Sequence, residues 1–285
     1  MCARSGWVAV AFAVWAAGAG AQAPQDLAAT LARVGERVEE YYRRAQSIVC
    51  LETVSVQSLG HDLAANDHGR TLEYELRVSW EGSPDDNTPP AASVLRQLLK
   101  IDGRPPKPGS EPKCMDPPTV APERLAMMLR GRRDEYLFSA AGMGRVKDRR
   151  ALRLDYKSRA IGKAEVRWHG DCFTVELPGR SRGRVWVDVA TNDVLRLDEA
   201  LTGRFNYTLP PEHRVIGMPS AVEIQRADSS VRYRPVTFIN PDETVLLPDR
   251  IDSLQIVEGA GIPRVRITQT FSNYRRFVTD ARVVR

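Results

Sequence analysis

A serine between two glycines is the first feature of this sequence that could carry chemistry. Residues 179–183 read Gly-Arg-Ser-Arg-Gly, the literal pattern of a hydrolase nucleophile elbow with Ser181 as the nucleophile. Such an elbow needs a strand, a sharp turn and then a helix whose N-terminus supports the oxyanion. Residues 184–189 instead alternate between apolar and polar side chains, which is typical of a strand. We therefore interpret residues 179–183 as a loop and predict no catalytic residue.

Histidines, cysteines and glycine-rich turns provide no recognisable metal or phosphate motif. No His-Glu-x-x-His is present, and the pair His61 and His68 falls in one polar loop, where a surface role is expected. His169 lies close to Cys172, but no third group is evident to orient such a pair. Gly142-Met143-Gly144 is interpreted as a hairpin turn and not as a phosphate loop opening a helix. The sequence therefore predicts no metal, no cofactor and no enzyme.

Three cysteines remain if the N-terminal segment is removed, so one disulfide and one free thiol are expected in an oxidising compartment. Cys50 lies in the apolar run Ser47-Ile48-Val49-Cys50-Leu51, which suits a small buried side chain. Cys114 lies in a proline-rich loop and Cys172 between two strands. All three pairings are open by count alone, and these locations favour Cys114–Cys172.

The first 23 residues have the organisation of a secretory signal peptide. Arg4 supplies the positive charge, residues 7–17 form a short apolar core, and Ala21-Gln22-Ala23 is a small-x-small cleavage site. The apolar run is shorter than the roughly 20 residues of a transmembrane helix, although an uncleaved anchor is the alternative. We expect a periplasmic or secreted protein, with residues 24–285 as a single domain.

Basic residues outnumber acidic ones, and the chain carries a formal net charge of +5. They cluster in the sequence at residues 130–133, 145–153 and 264–276. In an exported chain such clusters fit a solvated face or an anionic membrane surface, and nucleic acid is not an expected partner. The alternation Arg264-Val265-Arg266-Ile267 favours the solvated face of a strand.

The mature chain opens with a predicted helix and continues as strands. Apolar residues recur at helical spacing from Leu27 to Ala45 after Asp26, a plausible N-cap. The segment Gly179–Leu201 predicts a hairpin with one apolar face, in which Asn192 takes the positive-φ turn position. A short second helix is bracketed by Pro122 and Gly131. Further strands are predicted at residues 47–57, 71–80, 94–101 (with a helix as the alternative), 136–139, 150–156, 166–168, 172–177, 221–226, 231–239, 253–257 and 264–271, with a turn at 240–243 and a bulge near 274–277.

This layout resembles the periplasmic lipoprotein-carrier (LolA/LolB-like) half-barrel superfamily. The matching pieces are the helix that feeds the first strand, the hairpin Gly183-Arg184-Val185-Trp186-Val187-Asp188 with its turn Thr191-Asn192-Asp193-Val194, and the terminal Thr270-Phe271-Ser272-Asn273-Tyr274. Uncharacterised exported bacterial proteins share the same hairpin and terminal strand. The resemblance implies an α+β fold: a large curved antiparallel sheet, with an N-terminal helix and a short second helix covering its concave face.

If the sheet stays half open, its apolar concave face needs a cover and could hold an apolar ligand. The residues that we predict to line such a cavity are Tyr41, Trp80, Met128 and Trp186, with core packing as the alternative role. The first hypothesis is a non-enzymatic exported binding protein for a lipid, an acyl chain or a lipoprotein anchor. The second is an envelope interaction or sensor module with a packed core and a protein partner. A Ser181-dependent hydrolase ranks third.

Overall fold

The computed structural model describes residues 26–66, 69–80, 91–109, 114, 116–117, 124–170, 172–214, 217, 219–239, 242–259 and 264–276. The predicted signal peptide, Pro122 and His68 lie outside these residues, as do residues 240 and 241 of the predicted turn. The chain begins with α1, Leu27–Arg44. The side chain of Asp26 caps it as predicted, because its Oδ1 accepts hydrogen bonds from the backbone N–H groups of Ala28 and Ala29 at 3.0 and 3.4 Å.

Most of the other described residues form antiparallel strands, as the alternating segments predict. The strands are β1 (Ile48–Leu59), β2 (Arg70–Trp80), β3 (Ala92–Ile101), β4 (Tyr136–Val146), β5 (Arg149–Ser158), β6 (Glu165–His169), β7 (Cys172–Glu176), β8 (Ser181–Asp188), β9 (Val194–Leu201), β10 (Phe205–Thr208), β11 (Ala221–Ile239), β12 (Asp242–Glu258) and β13 (Arg264–Arg276). Short 3-10 helices occupy Leu125–Met128, Arg133–Glu135 and Pro211–His213. Residues 94–101 therefore form a strand and not the alternative helix.

One sheet contains eleven of the strands, in the order β3-β2-β1-β13-β12-β11-β9-β8-β5-β4, with β10 paired to β11. In the described part of the chain β3 and β4 end the sheet without pairing to each other, so the sheet is open. Strands β6 and β7 form a separate hairpin. The architecture is the predicted α+β fold, a large open antiparallel sheet with an N-terminal helix.

The two faces of the sheet differ in chemistry, as the period-two pattern of β2 illustrates. Leu72, Leu76 and Val78 are buried on one side of this strand, while Glu75 and Arg77 project from the other. We call the apolar side, which α1 contacts, the inner face, and the opposite side the outer face. Buried residues of the 3-10 helix Leu125–Met128 complete the cover of the inner face beside α1. Burial of this apolar surface is the main stabilising term of the fold.

Two local predictions need correction. Gly142-Met143-Gly144 is not the hairpin turn, because β4 continues to Val146 and the chain reverses at Lys147, whose φ is +51°. The glycines lie at a β-bulge, where the β4–β5 register shifts between Ala140 and Met143. A glycine within a strand often marks a bulge, and the pattern alone does not separate that role from a turn. The predicted strands at 221–226 and 231–239 form the single strand β11, which absorbs an irregularity between Ile224 and Arg226.

The prediction of a turn at Asn192 and that of a bulge in the last strand are confirmed. Asn192 has a φ of +59° in the β8–β9 turn, a conformation that asparagine tolerates better than most residues. The bulge predicted near residues 274–277 lies slightly earlier, between Ser272 and Arg275, where Val49 pairs with Arg275 but Leu51 pairs with Ser272. Asn273, with a φ of +53°, lies inside that bulge.

Candidate functional site

Helix α1 packs across the inner face, and a small apolar cavity lies beneath its C-terminal end. The cavity has a volume of about 20 Å³. Its lining residues are Tyr41, Ala45, Ile48, Cys50, Leu76, Val78, Trp80, Leu247, Pro248 and Tyr274. The ring of Tyr42 meets that of Trp80 edge to face at 4.8 Å, so aromatic contacts close this end of the helix against the sheet.

A second pocket of about 200 Å³ lies at the other side of α1, against β9, β11 and β12. Its floor is apolar and includes Val38, Leu125 and Val245, whereas its rim includes Arg37 and Arg149. Tyr41 lines both this pocket and the smaller cavity. The two spaces are therefore neighbours that share the Tyr41 side chain as part of their walls.

The structure brings three of the four predicted lining residues to the inner side of the sheet. Tyr41 and Trp80 line the small cavity. Met128 is fully buried in the same hydrophobic cluster, where it packs as a core residue. These positions agree with a lining role and with a core role alike, because the cavity that Tyr41 and Trp80 line measures only about 20 Å³.

Trp186 does not join this group, because it lies on the outer face. Its neighbours Val185 and Val187 point into the core, and successive residues of a strand point to opposite sides. The indole Nε1–H donates to Asp198 Oδ2 at 3.0 Å. The ring also lies close to Gly144, where an added Cβ would meet its Cζ3 atom at 2.6 Å. Trp186 therefore has no access to the inner cavity in this structure.

Ion pairs in the C-terminal half of α1 hold this helix to the sheet. Arg37 pairs with Asp193 in the β8–β9 turn, and Arg44 pairs with Glu243 of β12, each at 3.0 Å. Arg276 also pairs with Glu243, and its guanidinium donates to the carbonyl of Arg44 at 2.6 Å. We call these five residues the α1 latch. The Arg37 and Arg44 side chains remain 36 and 30 % exposed, so each of their pairs contributes only about 0–1 kcal/mol.

A buried ion pair lies on the inner face at the far end of the sheet. Arg96 of β3 donates from Nε and Nη2 to the two carboxylate oxygens of Glu52 at 2.8 and 3.0 Å, and both side chains are at most 5 % exposed. Gln269 also donates to Glu52, and Arg96 lies 3.7 Å from the ring centre of Tyr74. The sequence does not indicate this pair. Its two members lie 44 residues apart, each in a strand whose inner side is otherwise mainly apolar.

Residues 116 and 117 cover that ion pair. Arg96 Nη1 donates to the carbonyl of Pro117 at 2.6 Å, and Arg70 contacts both carboxylate oxygens of Asp116 at 3.0 and 3.1 Å. The predicted disulfide is confirmed: Cys114 is bonded to Cys172, with Cα atoms 5.1 Å apart. The bond ties this covering segment to β7.

Cys50 is the free cysteine among the described residues and is 2 % exposed. Burial, with a smaller contribution from the Glu52 charge, raises the pKa of its thiol from 9.0 to about 12. Because the thiolate is the reactive form, we expect the native protein to resist alkylation by iodoacetamide just above pH 9.0. The urea-unfolded chain should react rapidly under the same conditions. Equal rates in the two states, followed by mass spectrometry, would show that the site is open.

The structural context of Ser181 is not that of a nucleophile elbow. It begins β8, so residues 181–183 belong to a strand and not to the predicted loop, and the chain continues as a strand where the elbow requires a helix. Its hydroxyl lies 3.0 Å from that of Ser158, a contact between two neutral groups that supplies no general base. His213 stacks on Trp168 with ring centres 3.5 Å apart. Within the described ranges, no group of three or more His, Cys, Asp or Glu side chains is placed to hold a metal ion.

The fold and the site define a class of protein: an open antiparallel sheet whose apolar inner face is closed by a helix and a disulfide-tied segment. Among the described residues, no helix has both the length and the apolar character needed to cross a membrane. No protein-family model matches the chain, and no curated protein matches it.

Solved structures do match over most of the chain. A DUF1329 family protein from Desulfovibrio piger is 12 % identical with a TM-score of 0.40, covering 88 % of this chain and 93 % of that one. A LolA superfamily protein from Nitrosomonas europaea is 9 % identical with a TM-score of 0.36, covering 87 and 94 %. A putative outer membrane lipoprotein-sorting protein domain from Vibrio parahaemolyticus is 8 % identical with a TM-score of 0.39, also covering 87 and 94 %.

The superfamily that the sequence resembles is thus among the matches. All three TM-scores lie below 0.5, so these likenesses carry no information about ligand or partner.

Proposed function

We propose that this protein is an exported binding protein that takes up an acyl chain between α1 and the inner face of the sheet. The observation that carries the proposal is the pair of spaces under α1, the apolar cavity and the larger pocket, which share only the Tyr41 side chain as a common wall element. An acyl chain has the elongated apolar shape that such a joined space would fit.

The closed arrangement requires α1 to move before a ligand can enter. A cavity of about 20 Å³ has room for about one water molecule, whereas drug-sized ligands occupy roughly 300–1,000 Å³. Each methylene that an acyl chain buries would contribute about 0.8 kcal/mol toward displacing the helix. The polar contacts opposing that movement include the half-exposed pairs of the α1 latch, which are individually weak.

The disulfide supports an exported location for this protein. A disulfide between Cys114 and Cys172 persists in an oxidising compartment and is rare in reducing ones. This agrees with the signal peptide predicted at residues 1–23, which lies outside the described part of the chain. An acyl chain or lipoprotein anchor of the cell envelope would be within reach of such a protein.

A second candidate function is an envelope interaction module that binds a protein and no lipid. The small size of the cavity favours this alternative, together with the complete burial of Val34 and Met128 between helix and sheet. A core packed to this extent needs no ligand to fill it. The two candidates differ in one measurable respect, which is whether α1 opens for an acyl chain.

Native mass spectrometry of the chain from Pro24 onward, purified from an envelope fraction, tests the proposal directly. A discrete added mass that extracts as lipid under denaturing conditions is the expected result. The purified protein should also increase the fluorescence of cis-parinaric acid, a fluorescent fatty acid. A ligand-free mass together with no response to cis-parinaric acid would contradict acyl binding and favour the interaction module.

Replacing Tyr41 with alanine should strengthen binding of cis-parinaric acid. The change removes the ring that lies between the two spaces. If two further methylenes become buried at about 0.8 kcal/mol each, the Kd falls about tenfold. The matched control is Tyr207→Ala, another half-buried tyrosine, which packs against Phe173 and Trp168 away from α1. An equal response of both variants would place the probe elsewhere.

A further inference from the structure

A row of basic side chains crosses the outer face of the sheet. Register pairs Arg153 of β5 with Trp186 of β8, Trp186 with Arg196 of β9, Arg196 with Arg232 of β11, and Arg232 with Arg250 of β12. We call these five residues the outer row. With neighbouring strands about 4.8 Å apart, the outer row is about 19 Å long. It is assembled from residues spread over almost 100 positions, and Arg153 is its one member that belongs to a basic cluster of the sequence.

The outer row has more cationic than anionic groups. Arg196 pairs with Asp198 at 2.7 Å, while Asp252 is shared between Arg250 at 2.7 Å and Arg232 at 3.6 Å. Arg153 forms no ion pair among the described residues, although its charge acts on nearby Asp155, and its buried Nε makes no hydrogen bond. Four guanidinium groups therefore face two carboxylates.

Nearby acidic residues do not neutralise this excess of positive charge. Asp155, beside Arg153, is held by Arg184 through hydrogen bonds at 2.5 and 3.0 Å. Asp249 pairs with Arg234 and Lys147. Each of these carboxylates already has at least one cation of its own.

Fold stability does not account for the outer row. Arg196, Arg232 and Arg250 are directly opposite one another on adjacent strands, and like charges in that position destabilise a sheet. Their side chains are 35–45 % exposed, so the burial of the core does not require them. A concentration of guanidinium groups on an exposed surface instead suits the binding of an anion.

By contrast, the basic clusters that stand out in the sequence are dispersed by the fold. Arg149 pairs with the buried Asp188 of β8, and Arg276 belongs to the α1 latch. Arg264 pairs with Glu258, and Arg132 with Glu135. The outer row is therefore a better candidate for an anion-binding surface than any of these clusters.

We propose that the outer row binds phosphate groups at an anionic membrane surface. Guanidinium groups match phosphate oxygens as bidentate donors. Trp186 lies within the outer row, its ring centre 5.9 and 5.6 Å from the guanidinium carbons of Arg153 and Arg196. Tryptophan flanked by arginine suits the boundary between water and lipid, because each has an apolar body and a polar end. Docking through the outer face leaves α1 and the inner face unobstructed.

Cosedimentation with vesicles tests the proposal. The wild-type protein should sediment with vesicles that contain phosphatidylglycerol and not with pure phosphatidylcholine vesicles, and added salt should weaken the binding. A basic residue near an anionic surface contributes about 1 kcal/mol, a factor of about five. The triple variant Arg196→Gln, Arg232→Gln, Arg250→Gln should therefore bind about a hundredfold more weakly.

A second triple variant provides the matched control. Arg167, Arg204 and Arg226 are at least as exposed as the outer row, and each is paired with its own acid. Changing these three to glutamine removes the same charge and should leave most of the binding. Circular dichroism establishes that both variants fold.

Three results would overturn the proposal. One is absence of wild-type binding to phosphatidylglycerol vesicles, and another is equal loss of binding in both triple variants. The third is binding of a polyglutamate peptide, dependent on the outer row, without vesicle binding; it would assign the surface to an acidic protein partner. Neither vesicle binding nor its loss bears on cis-parinaric acid uptake, so the two proposals fail separately.

Discussion

Arg96→Met is expected to lower the free energy of unfolding by about 3–5 kcal/mol, because it leaves the Glu52 carboxylate buried without its cation. Glu52 is 3 % exposed and cannot regain water without opening the inner face. Gln269 would remain as a hydrogen-bond donor to Glu52 but carries no charge to balance it. Urea unfolding, followed by tryptophan fluorescence, measures the difference.

Two control variants make this prediction specific. Arg77→Met removes an arginine from an Arg–Glu pair on the outer face, where the arginine is 49 % exposed, and should cost less than about 1 kcal/mol. The double variant Glu52→Leu, Arg96→Met removes both charges and should be more stable than Arg96→Met alone, because apolar replacements of buried pairs are often close to neutral. Equal destabilisation by Arg96→Met and Arg77→Met would contradict a buried pair.

Loss of the Cys114–Cys172 disulfide is expected to destabilise the protein by about 4 kcal/mol. The bond closes a loop with a sequence separation of 58 residues, and the stabilisation in the chain-entropy model grows with the logarithm of that length. The double variant Cys114→Ser, Cys172→Ser should therefore unfold at lower urea concentration. Wild-type protein treated with dithiothreitol should show the same shift.

The remaining cysteine provides the control for this experiment. Cys50→Ala keeps the disulfide, so dithiothreitol should still lower its unfolding midpoint by the same amount. In Cys114→Ser, Cys172→Ser, dithiothreitol should have no effect. An unchanged midpoint of reduced wild-type protein would show that noncovalent contacts, among them those of Arg70 with Asp116 and of Arg96 with Pro117, hold this segment without the disulfide.

The Glu52–Arg96 ion pair and the Cys114–Cys172 disulfide should be energetically coupled. Cys114 lies next to the segment whose Pro117 carbonyl accepts from Arg96. Residues that share one network are not energetically independent. The destabilisation by Arg96→Met should therefore differ between the oxidised and the reduced protein.

Local chemistry determined the elements of this fold. The spacing of apolar residues and the Asp26 cap define α1, and period-two alternation defines the inner side of β2 and β8. Asn192 marks its turn because few other residues tolerate a positive φ. The disulfide followed from the different surroundings of the three cysteines. Each of these signals depends on residues within a few positions of one another.

The tertiary structure alone decided which faces and partners meet. Strand β1 lies beside β13, more than 200 residues away, and Gln269 of β13 reaches Glu52 there. Whether Gly142 forms a turn or a bulge depended on the length of the partner strand. The alternation around Trp186 placed it on the opposite side from Val185, but only strand order set it beside Arg153 and Arg196. The physical reason is that periodicity encodes the face of a residue, while its neighbours across the sheet follow from long-range packing.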